Sequence, residues 1–197
     1  MKDLPVYKIA IDFNDESGID FISLVEDPAI IMKGYRFSKE IQLESGEIDI
    51  IENKEFSFKT DEEKMRIAGP AIIPNMKIYR RDDDLGEYYI VFEKETIERM
   101  VEKFNKISKS SRINLDHSET IAPAFIKGSW IIEDELFDKS KMYGFALPEG
   151  TWFVELQITD KEFWDKEVKE KGKFGFSIEG FMGLKLNELI KDKINND

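Results

Sequence analysis

The sequence predicts a β-rich α+β fold with about three helices. Three observations carry that expectation. Short runs such as VYKIAIDF and TWFVELQI alternate between apolar and polar positions, and Gly, Pro and acidic clusters separate them. A clear helical period appears between Lys94 and Ser108, where Ile97, Met100, Val101, Phe104 and Ile107 share one face. No internal repeat and no Gly/Ser linker interrupts the 197 residues, so positions 1–197 read as a single domain around one core.

In chain order, VYKIAIDF opens as a strand, and SGIDFISLVEDPAII follows with Gly18 and Pro28 as punctuation. Residues 39–63 are acidic and weakly periodic, and read as an exposed acidic arm, an insertion or a pair of marginal strands. Pro70 and Pro74 confine MRIAGPAIIPNM to extended or turning backbone, because proline removes a donor and restricts its predecessor. MKIYR and EYYIVFE, joined through Gly86, form a β-hairpin. After the helix at 94–108 come three extended runs, RINLDHSE, FIKGSWIIED and TWFVELQI. Thr159-Asp-Lys-Glu162 spells a capping box for a second helix through Phe163, Trp164 and Val168, which Gly172 ends. KFGFSIEGF is then a strand, and LKLNELIKDKI a third, polar-faced helix.

Composition excludes much chemistry. With 29 basic and 41 acidic side chains the net charge is −12, which disfavours sequence-independent nucleic-acid binding. No apolar run is long enough for a membrane span, and the start lacks a secretory pattern. There is no cysteine and one histidine, so neither a disulfide nor the usual zinc site can be built. No cofactor is expected.

Within KFGFSIEGF, strand parity sends Phe174, Phe176 and Ile178 to one face and Lys173, Gly175, Ser177 and Glu179 to the other. The spelling G-x-S-x-x-G, through Gly175, Ser177 and Gly180, is not a nucleophile elbow. From spacing alone, Ser177 is an ordinary serine on the solvated side of a strand. The functional alternative is a strand-borne nucleophile whose flanking glycines admit a substrate backbone. His117 is the sole histidine and therefore the sole histidine base available; a lone histidine satisfied by a backbone partner is the simpler reading. A supporting carboxylate would come from Glu133, Asp134, Glu155 or Glu179, and the residues leave that choice open. Lys173 lies about 13 Å along the strand from Ser177, too far to activate it, and reads as a surface charge. Asp82-Asp83-Asp84 lacks the spacing of a calcium loop and reads as a solvated hairpin turn.

SLVEDPAI, AGPAIIPNMKIYRR, GEYYIVFEKETIERMVEKF, NLDHSE, SWIIED, LPEGTWFVELQI and GFSIEGF, in that order, resemble the XkdF-like phage serine proteases, relatives of the prohead (capsid-maturation) proteases. The resemblance runs from about Phe21 to Phe181. It implies an assemblin-like fold: a closed or nearly closed, mostly antiparallel barrel surrounded by helices. It also implies a serine endopeptidase with Ser177 as nucleophile, His117 of the N-x-x-H segment as base, and Glu133 carried over as third residue, Asp134 behind it. The implied substrates and partners are phage scaffolding and major capsid proteins, met inside the procapsid in the host cytoplasm. A homo-oligomer is compatible with this. The alternative is a catalytically silent capsid-assembly or scaffold-binding protein that keeps the fold.

Overall fold

A computed structural model describes residues 4–12, 17–26, 59–61, 64–107 and 111–186. The strands are β1 (Val6–Ala10), β2 (Gly18–Val25), β3 (Lys59–Asp61), β4 (Arg66–Ile72), β5 (Ile78–Asp82), β6 (Gly86–Val91), β7 (Ile113–Leu115), β8 (Ala124–Ile131), β9 (Trp152–Ile158), β10 (Gly175–Phe181) and β11 (Gly183–Leu186). Helix α1 covers Lys94–Lys106; α2 begins at Lys161–Phe163 and continues as a π-helix through Trp164–Glu170.

The strands form three sheets, in the orders β11-β1-β6-β5, β10-β2-β7 and β3-β4-β9-β8. This corrects the expected barrel. Closure needs every strand bonded on both sides, whereas each of these sheets ends in unpaired edges and no ladder joins one sheet to the next among the described residues. The pairing itself is mostly antiparallel, with β1 parallel to β6 and β2 parallel to β7 as the exceptions. The helix count also falls from three to two among the described residues. Leu184–Leu186, expected to begin a third helix, instead lie in β11 beside β1; positions 187–197 lie outside the described residues. The same holds for most of the expected acidic arm, although Lys59–Asp61 pair with β4 as β3.

Local sequence explains most of the elements that formed. Four of the five residues on the predicted face of α1 (Ile97, Met100, Val101 and Phe104) are buried, while Ile107, just past the helix, is half exposed. For α2 the cap is Asp160 rather than Thr159: the Asp160 carboxylate accepts the Phe163 N–H at 2.7 Å. Gly172, at φ +70°, then turns the chain towards β10. Pro70 is tolerated in β4 because it lies beyond the reach of the short β3 and beside a bulge against β9.

Strand β9 lies between β4 and β8 and is buried on both faces. One face supplies Trp152, Val154, Leu156 and Ile158 to the main core, shared with Ile22 and Leu24 of β2, Phe104 of α1 and Trp164 of α2. On its other face Phe153 packs among Trp130, Tyr143 and Phe145 in a second, aromatic core. Trp152 stands edge-on to Phe104 at 5.6 Å, and its indole N–H donates to Ser129 Oγ at 2.8 Å. Replacing Trp152 by alanine leaves a large void between α1 and β9 and strands that hydroxyl. The expected cost is about 3–5 kcal/mol of unfolding free energy, read from urea denaturation.

Candidate active site

The site grows from the three-stranded sheet. Strand β2 is central, antiparallel to β10 and parallel to β7, and the register sets Ser177 opposite Ser23 and Ser23 opposite Asn114. Directly paired residues project from the same face of a sheet, so three polar side chains form one row across otherwise apolar strands. All three are buried: Ser177 retains 5 % of its exposure, Ser23 none and Asn114 3 %. Glu179 follows Ser177 by two positions on the same face, and a bulge between Glu179 and Gly180 follows it.

Gly180 is what allows that bulge. A Cβ on it would lie 1.9 Å from Gly18 O and 2.9 Å from Ile19 Cα, both backbone atoms of β2. Gly180→Ala must therefore push β10 away from β2. We expect a loss of at least about 2 kcal/mol in denaturant titration, together with displacement of Glu179.

His117 arrives from the turn after β7. Asp116 and His117 both adopt left-handed backbone, at φ +50° and +55°. The Asp116 N–H donates to Leu24 O at 3.1 Å and the Ser118 N–H to Leu115 O at 3.0 Å, which folds the chain back over the sheet. The imidazole thereby reaches Glu179, with His117 Nδ1 3.0 Å from Glu179 Oε1 and 3.0 Å from Ser23 Oγ. The same carboxylate oxygen accepts Ser23 Oγ–H at 2.6 Å and Asn114 Nδ2–H at 2.6 Å. Glu179 is thus the hub of a Ser23–Asn114–His117 cluster. Partial burial opposes its charge, but the hydrogen bonds from Ser23, Asn114 and His117 outweigh that and hold the carboxyl below its ordinary range.

These contacts assign the histidine tautomer. Ser23 has one hydroxyl proton, and the ionised Glu179 has none to give, so that proton lies on the 2.6 Å bond to Glu179. Ser23 Oγ can then only accept from His117 Nδ1, which must carry the N–H. In the neutral ring Nε2 is left with its lone pair, and the imidazole side chain is 45 % exposed. A base held by a carboxylate at Nδ1 and open at Nε2 is the arrangement used in acyl-transfer chemistry.

Of the residues singled out from sequence, the structure brings Ser177, Asn114, His117 and Glu179 to one face of this sheet. It does not bring Glu133 there. Glu133 is exposed just beyond the end of β8, which pairs with β9 in another sheet. Asp134 caps its own turn, accepting the Leu136 and Phe137 N–H groups at 2.7 and 3.1 Å. Glu155 is buried beside Arg66 at 3.5 Å, and Gly128 leaves room for it, since a Cβ there would lie 3.2 Å from Glu155 Oε2. Tyr143 also packs there: burial, and then the Glu155 charge, raise its phenol above the ordinary value.

Two further expectations change. Ser177 is buried rather than solvated, and its hydroxyl has no hydrogen-bond partner among the described residues; the serine bonded to the imidazole is Ser23. Lys173 is buried too, not a surface charge. Ser23 went unrecognised in the sequence, where its one signal is a hydroxyl inside the apolar strand FISLV.

No protein-family model, curated protein or solved structure matches this chain. A cavity of about 20 Å³, room for roughly one water, touches Ser177 and is lined also by Ile72, Arg80 and Phe92. A wider, open depression of about 520 Å³ on α2 is lined by charged side chains, Lys161, Asp165 and Glu170 among them, and includes none of the cluster.

Proposed function

We propose that this chain is a serine endopeptidase of the phage prohead type, with Ser177 as nucleophile, His117 as general base and Glu179, not Glu133, as the carboxylate that orients the base. The observation that carries this reading is His117 Nδ1 seated 3.0 Å from both Glu179 Oε1 and Ser23 Oγ, which assigns the Nδ1–H tautomer and leaves Nε2 open. Ser177 projects from the same sheet face, directly opposite Ser23. The ordered resemblance to XkdF-like proteases supports the substrate class, namely scaffolding and major capsid proteins.

In the reaction, Ser177 Oγ forms a bond to the scissile carbonyl carbon while its proton passes to His117 Nε2. Glu179 stays ionised and steadies the imidazolium at Nδ1. Collapse of the tetrahedral intermediate breaks the C–N bond, and the leaving amine takes the proton from Nε2. Water then repeats the sequence on the ester and frees Ser177. Among the described residues strand β10 is an edge of its sheet, so an extended substrate segment can pair along it and bring its carbonyl to Ser177. Ser177 and His117 are not hydrogen-bonded to each other here, and the reading requires them to close up when substrate binds, as catalytic contacts often do.

A second reading is a catalytically silent assembly or scaffold-binding protein. It draws on one observation: the buried Ser177 hydroxyl makes no bond to the imidazole. A fluorophosphonate probe separates the two. Stoichiometric phosphonylation located on Ser177 by peptide mass spectrometry is the expected result. An unlabelled, folded protein that also leaves co-expressed scaffold uncut would overturn the endopeptidase reading.

A further inference from the structure

The base-bearing turn is held from outside the sheet. Lys173, in the segment leading into β10, is 7 % exposed, and its ammonium is hydrogen-bonded to Asp116 Oδ2 and 3.3 Å from Glu167 Oε2 of α2. Glu167 already has a partner in Lys171 at 2.7 Å, so neutralising Glu167 does not by itself account for Lys173. What Lys173 adds is Asp116, whose side chain is half exposed and needs no buried cation for its own solvation. Burying an ammonium is costly unless it is paired, and here the pairing joins α2, the approach to β10 and the His117 turn at one point.

That turn needs holding. Two successive non-glycine residues in left-handed backbone are disfavoured and persist where the surroundings hold them. Relaxation of Asp116 or His117 to ordinary φ would swing the imidazole off Glu179.

We propose that Lys173 is a positioning residue: by clamping Asp116 it keeps the strained Asp116–His117 turn closed, so that His117 Nδ1 stays on Glu179 and Nε2 stays open. Its catalytic consequence rests on the endopeptidase reading, but the position of the imidazole does not. The chain has one histidine, so its ring resonances report that position without ambiguity.

The test uses the full chain as Lys173→Met, Asp116→Asn and Glu167→Gln variants. Asparagine tolerates left-handed backbone, so Asp116→Asn takes the carboxylate charge out of the clamp while sparing the turn, and it decides the matter if Lys173→Met fails to fold. In folded Lys173→Met and Asp116→Asn, the imidazole ring-proton lines should move towards those of an unstructured peptide, while in Glu167→Gln they stay in place. Fluorophosphonate labelling of Ser177 should slow on the order of tenfold to a hundredfold in the first two. Imidazole lines coincident with the parent in folded Asp116→Asn overturn the clamp, as do equal shifts in all three variants. If the parent protein takes no label, the endopeptidase reading fails while the ring resonances still decide the clamp.

Discussion

Ser177→Ala and His117→Ala should each abolish processing of co-expressed scaffolding and capsid proteins, with rate losses on the order of 10⁶ in a purified assay. The nucleophile and the base act as one unit, so the double variant should be little worse than either alone. Ser23→Ala is the informative comparison. Ser23 is fully buried and spends its proton on Glu179, so a peptide carbonyl has no approach to it. Losing it removes one of three donors to the carboxylate and one acceptor from Nδ1. The expected effect is a slower enzyme that still phosphonylates at Ser177. Complete loss of labelling in a folded Ser23→Ala, with labelling retained in Ser177→Ala, would reverse the assignment of the two serines.

Glu179→Gln should lower turnover on the order of 10⁴-fold with little change in fold. The amide keeps the shape but removes the charge that stabilises the imidazolium, and its NH₂ group competes for the position of Nδ1–H, favouring the wrong tautomer. Glu133→Gln is the matched control and should leave turnover unchanged, because Glu133 is exposed beyond the end of β8, a strand of another sheet. The same carboxylate carries a pH signature. Its folded-state value lies below the ordinary glutamate range, so its contribution to stability is fully present above the unfolded value of about 4.3 and is lost as pH falls through the depressed folded value. Glu179→Gln should therefore flatten the acid limb of the stability–pH curve, measured by thermal denaturation between neutrality and strong acid. An unaltered acid limb would show that the hydrogen bonds to Glu179 do not persist in solution.

Several elements were legible because their cause is local. The face of α1 follows from five apolar residues at helical spacing, and the β5–β6 hairpin from Gly86, which takes φ +72°. Burial on both sides of β9 was not legible, since the alternation in TWFVELQI says nothing of a second, aromatic core covering Phe153. Sheet order failed for a related reason. Which edge a strand joins depends on partners distant in sequence, as β1 shows by pairing with both β6 and β11. Strand parity put Glu179 beside Ser177, yet Glu179 was one of four open carboxylates until the register of β10 on β2, and the bulge at Gly180, set it against the imidazole.

What the sequence determined by itself was inventory: a single histidine, no thiol, a serine between glycines, and the periods that make strands and one clear helix. The tertiary structure alone decided which groups meet. Ser23, Asn114 and Glu179 come from three strands separated by up to 156 positions in the chain, and the turn that aims His117 is strained backbone held by a buried lysine. Composition and periodicity are properties of neighbours along the chain. A hydrogen-bonded cluster depends on register, bulges and left-handed turns, whose energies are set only once distant segments have packed.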